Sequence, residues 1–101
     1  MYKNMLPLGT VVLLKGGKKR VMICGRVLTR AGEDKVYDYC GCVFPEGIIG
    51  SQNMLFFDKE SIGQIFFLGY TDFEEQRFNE TVLGKLGELK VEDGKLVEKE
   101  Q

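Results

Sequence analysis

Glycine and proline cut this chain into short apolar runs, and that punctuation constrains the fold more than any other feature. Thr10-Val11-Val12-Leu13-Leu14 gives way to Lys15-Gly16-Gly17-Lys18, and a glycine pair between lysines signals a tight hairpin. The β-branched pattern resumes over residues 20–24 and continues past Gly25 to Arg26-Val27-Leu28, with Gly25 marking a bulge or a bend. Residues 29–35 are polar and read as a loop. A third strand over residues 36–44 stops at Pro45-Glu46-Gly47, a turn that no central strand accommodates. Residues 48–53 form another loop. Residues 54–57 make a fourth strand, 58–61 a turn or single helical turn, and 62–70 a fifth strand.

The hydrophobic period then changes. Phe78, Val82, Leu83, Leu86 and Leu89 recur at helical spacing, and Thr71 or Asp72 is placed to cap the start, with Glu74 or Glu75 completing a capping box. The early acids suit the positive end of the helix dipole. Gly84 and Gly87 each lower helix propensity by about 1 kcal/mol against alanine, so this helix needs packing to persist. The expectation is a mainly β (α+β) protein: a small five-stranded antiparallel barrel or strongly bent sheet with one C-terminal helix. One domain is expected over residues 1–90, with the helix at about 72–89 and a charged, mobile tail over 91–101, a short hairpin around Asp93-Gly94 being the alternative for the tail.

Composition excludes several functions. At 101 residues there is room for one core, and 44% hydrophobic with 29% charged residues is ordinary for a globular chain. No apolar stretch is long enough to span a bilayer, and the N-terminus lacks a secretory hydrophobic region, so a cytoplasmic location is expected. The net charge of −1 hides an asymmetry: eight Lys/Arg against four Asp/Glu in residues 1–50, six against eleven in 51–101. Lys18-Lys19-Arg20 is too small a basic run for nucleic-acid binding and reads as a solvated turn.

With no histidine, the usual general base and commonest metal ligand are missing. Three cysteines, Cys24, Cys40 and Cys42, are an odd count for a disulfide framework and one donor short of a structural zinc site. Cys40 and Cys42 share a face of an alternating strand, where free thiols pack as small hydrophobes. Lys15-Gly16-Gly17-Lys18 does not match a phosphate loop. No enzyme, cofactor or metal site is expected.

In residues 11–14, 54–57 and 65–68 both alternating faces are apolar, so something must cover the second face. The helix accounts for part of it. Barrel closure, self-association or a docked partner are the alternatives for the remainder. Tyr37, Tyr39, Phe56, Phe66 and Tyr70 are the candidate aromatic contacts, with Glu74, Glu75 and Arg77 as rim charges.

Taken in order, Leu6-Pro7-Leu8-Gly9-Thr10-Val11-Val12-Leu13-Leu14-Lys15-Gly16-Gly17, Tyr37-Asp38-Tyr39, Gly41-Cys42, Pro45-Glu46-Gly47, Phe56-Phe57, Ile62 and Gly69-Tyr70 resemble a pattern. It is that of a roughly hundred-residue bacterial domain-of-unknown-function family of Gram-positive organisms. Thr10 departs mildly, since serine usually follows that glycine, and the C-terminal tail matches nothing. Members are typically encoded beside LXG toxins exported by type VII secretion. The resemblance implies a cytosolic chaperone or targeting factor that binds such a toxin, and transfers no catalytic residue. The alternatives are an immunity protein for the toxin domain and a homo-oligomeric small-ligand-binding barrel.

Overall fold

The five apolar runs assemble as antiparallel neighbours in a single sheet. The computed structural model describes residues 1–99. Strands β1 (Val11–Leu14), β2 (Val21–Thr29), β3 (Val36–Val43), β4 (Leu55–Phe57) and β5 (Ile62–Phe67) form one five-stranded antiparallel sheet in the order β4-β3-β2-β1-β5. Helix α1 (Phe73–Thr81) follows, and β6 (Leu89–Glu92) and β7 (Lys95–Glu98) make a separate hairpin. Among the described residues no helix is long and apolar enough to cross a membrane.

The sheet is open, not a barrel, but it must curl. Edge strands β4 and β5 are separated by four inter-strand steps of about 4.8 Å, roughly 19 Å in a flat sheet. The chain crosses from Phe57 to Ile62 through a single 3-10 turn at Lys59–Ser61, a path of roughly 13 Å. Both ends of that link are fastened. Asp38 in β3 accepts the Lys59 N–H at 2.9 Å while its own N–H donates to Asp58 Oδ1 at 3.1 Å, and the Lys15 N–H donates to the Ser61 carbonyl at 2.8 Å.

Gly25 sits beside the expected bulge. The β2–β3 register slips between Ile23 and Gly25, and a Cβ on Gly25 would lie 2.8 Å from Cys40 Sγ. Strand β5 is more irregular: its pairing with β1 slips at Gly63 and again at Phe66.

The core comprises Tyr2, Met5, Val12, Val21, Ile23, Tyr39, Phe57 and Leu83, with Leu14, Ile62, Leu86 and Leu89 against it. Each large apolar side chain sequestered there contributes about 1.5–3 kcal/mol. Residues 2–5, with no strand or helix of their own, still supply two core side chains. Asn79 of α1 holds them: its Nδ2 donates to the Met5 carbonyl at 2.7 Å, and the Met5 N–H donates to its Oδ1 at 3.0 Å.

Two expectations are corrected. The helix does not extend over 72–89 but ends at Thr81, and Leu83–Lys85 is a 3-10 turn. Gly84 passes close to the helix end, where a Cβ would meet the Asn79 carbonyl at 2.9 Å. Of the presumed stripe only Leu83 is fully buried; Phe78 and Val82 are exposed. Residues 91–98 are not a mobile tail, because Asp93 and Gly94 both take positive φ and close the β6–β7 hairpin. Residues 100 and 101 of that tail lie outside the described residues.

Candidate partner-binding surface

From Ile62 to Thr71 the chain carries no charge, although it forms an edge strand and its exit. Edge strands usually carry charges or proline that discourage pairing. Here the two bulges interrupt the ladder instead, and the side chains are left in solvent: Ile65, Phe66, Phe67, Leu68 and Tyr70 are all exposed, and Phe73 at the helix start is 87% exposed. Hydrophobic residues exposed singly are normal, whereas a contiguous run makes this surface the candidate for contact with a partner.

The bulge at Phe66 has a specific effect. Regular alternation would send Phe66 and Phe67 to opposite faces, but the extra residue re-aims one of them. Both phenylalanines line one groove of about 470 Å³ on the sheet, with Val11, Met22 and Phe44. Arg20 lies at its rim, its guanidinium 5.3 Å from the Phe44 ring centroid and 5.5 Å from that of Phe66.

A second depression of about 390 Å³ lies on the helix side, where Leu8, Tyr70 and Phe78 meet Asp72 and Glu74. Arg26 forms its floor, binding Glu75 through two nitrogens at 2.7 and 2.9 Å. This pair pins α1 to β2, and Arg26 also packs 5.5 Å from the Phe78 ring. Asp72 caps the helix by accepting the Glu75 N–H at 3.0 Å, so the expected cap is in place. That amide contact and the Tyr70 hydroxyl both hold the Asp72 carboxyl below its ordinary range, the amide more strongly.

The expected contact residues divide accordingly. Phe66, Tyr70 and Glu74 lie along β5, its exit and the first turn of α1; Arg77 is exposed on the same helix. Glu75 is taken up by Arg26. Tyr39 is a core residue, 1% exposed, its hydroxyl accepting the Leu6 N–H at 2.9 Å; it has no surface to offer. Tyr37 and Phe56 pack against each other at 5.6 Å, with the Tyr37 hydroxyl donating to Glu33, toward the β4 end of the strand order and away from β5. Sequence reasoning missed Arg20, Phe44, Phe67 and Phe73. The uninterrupted neutrality of residues 62–71 was the signal available for Phe67; nothing local announces that Arg20 and Phe44 meet it.

Cys40 and Cys42 are buried, as small hydrophobes are. Cys24 Sγ lies 3.9 Å from Cys40 Sγ, and burial, reinforced by the neighbouring thiol, pushes Cys24 up to about 11. Burial raises Cys40 and Cys42 as well. All three are raised in the direction that burial drives a packing thiol.

An open, curled antiparallel sheet, backed by a short helix and carrying an uncharged aromatic edge, defines a small β-rich domain with an exposed apolar surface. The chain belongs to the family described as Domain of unknown function (DUF4176), which it matches over residues 5–78. No curated protein and no solved structure shows significant similarity to it.

Most of the motif pieces that carry the resemblance are architectural. Thr10 and Gly69 meet directly; Tyr37-Asp38-Tyr39 supplies the Asp38 clamp and a core tyrosine; Gly47 donates its N–H to the Val43 carbonyl at 2.8 Å to close the Pro45-Glu46-Gly47 turn.

Proposed function

We propose that this protein is a non-enzymatic accessory protein, a chaperone or targeting factor that holds an LXG-type toxin in the cytoplasm of a Gram-positive bacterium before export by type VII secretion. The observation that supports this reading is the exposed, uncharged run from Ile65 to Tyr70, continued by Phe73. Surface of this kind is costly to leave in water and is stabilised when a partner covers it. The family resemblance supplies the kind of partner. The protein performs no reaction in this role; it shields an apolar segment of the toxin and releases it at the secretion machinery.

The test is co-expression of the tagged protein with the products of its neighbouring genes. Stoichiometric co-purification of a large toxin-like protein, with the bound region mapping outside the toxic domain, supports the proposal. Binding confined to the toxic domain assigns an immunity role instead, and elution of the protein alone removes the toxin as partner.

A further inference from the structure

The groove on the sheet pairs apolar walls with one kind of charge. Val11, Met22, Phe44, Phe66 and Phe67 form the walls, and Arg20 is the charged group at the rim. Among the described residues no carboxylate lies within ion-pair distance of Arg20 or of Lys18, whereas Lys19 is paired with Glu46 at 2.7 Å. The Arg20 guanidinium lies near two aromatic rings, and these contacts leave its N–H donors available. A guanidinium exposed at the rim of an apolar groove can receive a carboxylate through two parallel N–H donors.

We infer that this groove receives an acidic, apolar segment of the partner protein: an apolar side chain lies against Phe66 and Phe67, and an Asp or Glu carboxylate binds Arg20. The inference rests on the protein-binding role proposed above and names the chemistry of the segment bound. A peptide fits better than a small amphiphile, because the groove is open on its sheet face and continuous with the exposed β5 exit. An isolated small ligand is instead held in sites that cover most of its surface. Basic segments are disfavoured by Arg20, so the same contact provides discrimination.

The isotope-labelled protein is titrated with a short synthetic peptide of alternating Leu/Phe and Glu, with its Glu→Lys counterpart, and with laurate. The acidic peptide is expected to shift the backbone resonances of Val11, Met22, Phe44, Phe66 and Phe67. Arg20→Gln is expected to weaken that binding by about tenfold or more. Phe67→Ser, at an exposed position, is expected to weaken it too, with both variants retaining the wild-type thermal transition. No binding, equal binding of the two peptides, unchanged affinity in Arg20→Gln, or laurate filling a groove that the acidic peptide leaves empty would overturn the inference. None of these probes is a toxin, so failure here and failure of co-purification are read separately.

Discussion

The amide hydrogen of Gly69 is donated to the side-chain oxygen of Thr10 across 3.0 Å, joining residues 59 positions apart in the chain. The same hydroxyl donates to the Pro7 carbonyl at 2.7 Å, and Thr10 is completely buried. One oxygen therefore ties the N-terminal turn to the exit of β5, and so sets where Tyr70 and α1 begin. A serine at this position would supply the same oxygen.

Thr10→Ser is expected to fold with little loss of stability. Thr10→Val, similar in shape but without the hydroxyl, strands the Gly69 N–H, while the Pro7 carbonyl keeps the residue-10 N–H at 3.3 Å, and is expected to cost about 2 kcal/mol. Urea denaturation of the two variants checks this. Equal stability of Thr10→Val and wild type would sink the proposed tie.

Gly69 approaches the chain too closely for any side chain: a Cβ there would lie 2.1 Å from the Leu8 carbonyl oxygen and 2.8 Å from the Thr10 nitrogen. Gly69→Ala is expected to cost about 3 kcal/mol or more, because backbone must move. Gly50→Ala, in extended backbone with only the Asn53 side chain at 3.4 Å, should stay within about 0.5 kcal/mol of wild type. Thermal melts of the pair make the comparison.

The Arg26–Glu75 pair is nearly sequestered, with side-chain exposures of 7% and 16%. Glu75→Gln leaves the guanidinium without its counter-charge and is expected to cost about 3 kcal/mol. Replacing both partners by apolar residues, Arg26→Met with Glu75→Leu, should recover much of that loss. A Glu75→Gln variant as stable as wild type would show that the pair does not hold α1 to the sheet.

Alkaline stability should depend on the thiol cluster. The folded-state value of Cys24 lies above its unfolded value, so its contribution is fully present below pH 9 and is lost as pH rises toward 11. Tyr2 and Tyr39, both raised chiefly by burial, add losses in the same direction above pH 10. Cys24→Ala is expected to flatten the fall in melting temperature between pH 9 and 11 without abolishing it. An unchanged slope would remove Cys24 as a contributor.

Phe73→Ser should leave folding stability within about 0.5 kcal/mol of wild type, since the ring is almost wholly in water. The same change is expected to lower binding of a hydrophobic dye and to weaken capture of the partner. Loss of folding in this variant would mean that the ring does structural work.

Features of this fold are legible in the sequence where their signal is local. Gly16-Gly17, Pro45-Gly47 and the Asp72 cap each specify a turn or terminus through their own backbone preferences, and the strands between them followed. The helix end is hidden because Leu83, Leu86 and Leu89 keep a helical spacing while serving a 3-10 turn and the start of β6. The burial of Tyr39 is hidden because strand periodicity defines two faces without saying which is inward. The groove was illegible for a different reason. Phe66 and Phe67 share it only through a bulge, and Arg20 and Phe44 arrive from the residue just before β2 and the residue just after β3.

The position of β5 has a kinetic consequence. Strands β2, β3 and β4 follow one another and pair with their sequence neighbours, whereas β5 must find β1, with Val12 opposite Ile65. Closing so long a loop costs entropy before it returns any contact, so β5 is expected to dock late in folding. Pulse-labelled hydrogen exchange should find the amides of β2 and β3 protected before those of β5. During that interval the phenylalanine-rich segment lies wholly outside the fold, where a newly made chain is most prone to stick to its neighbours.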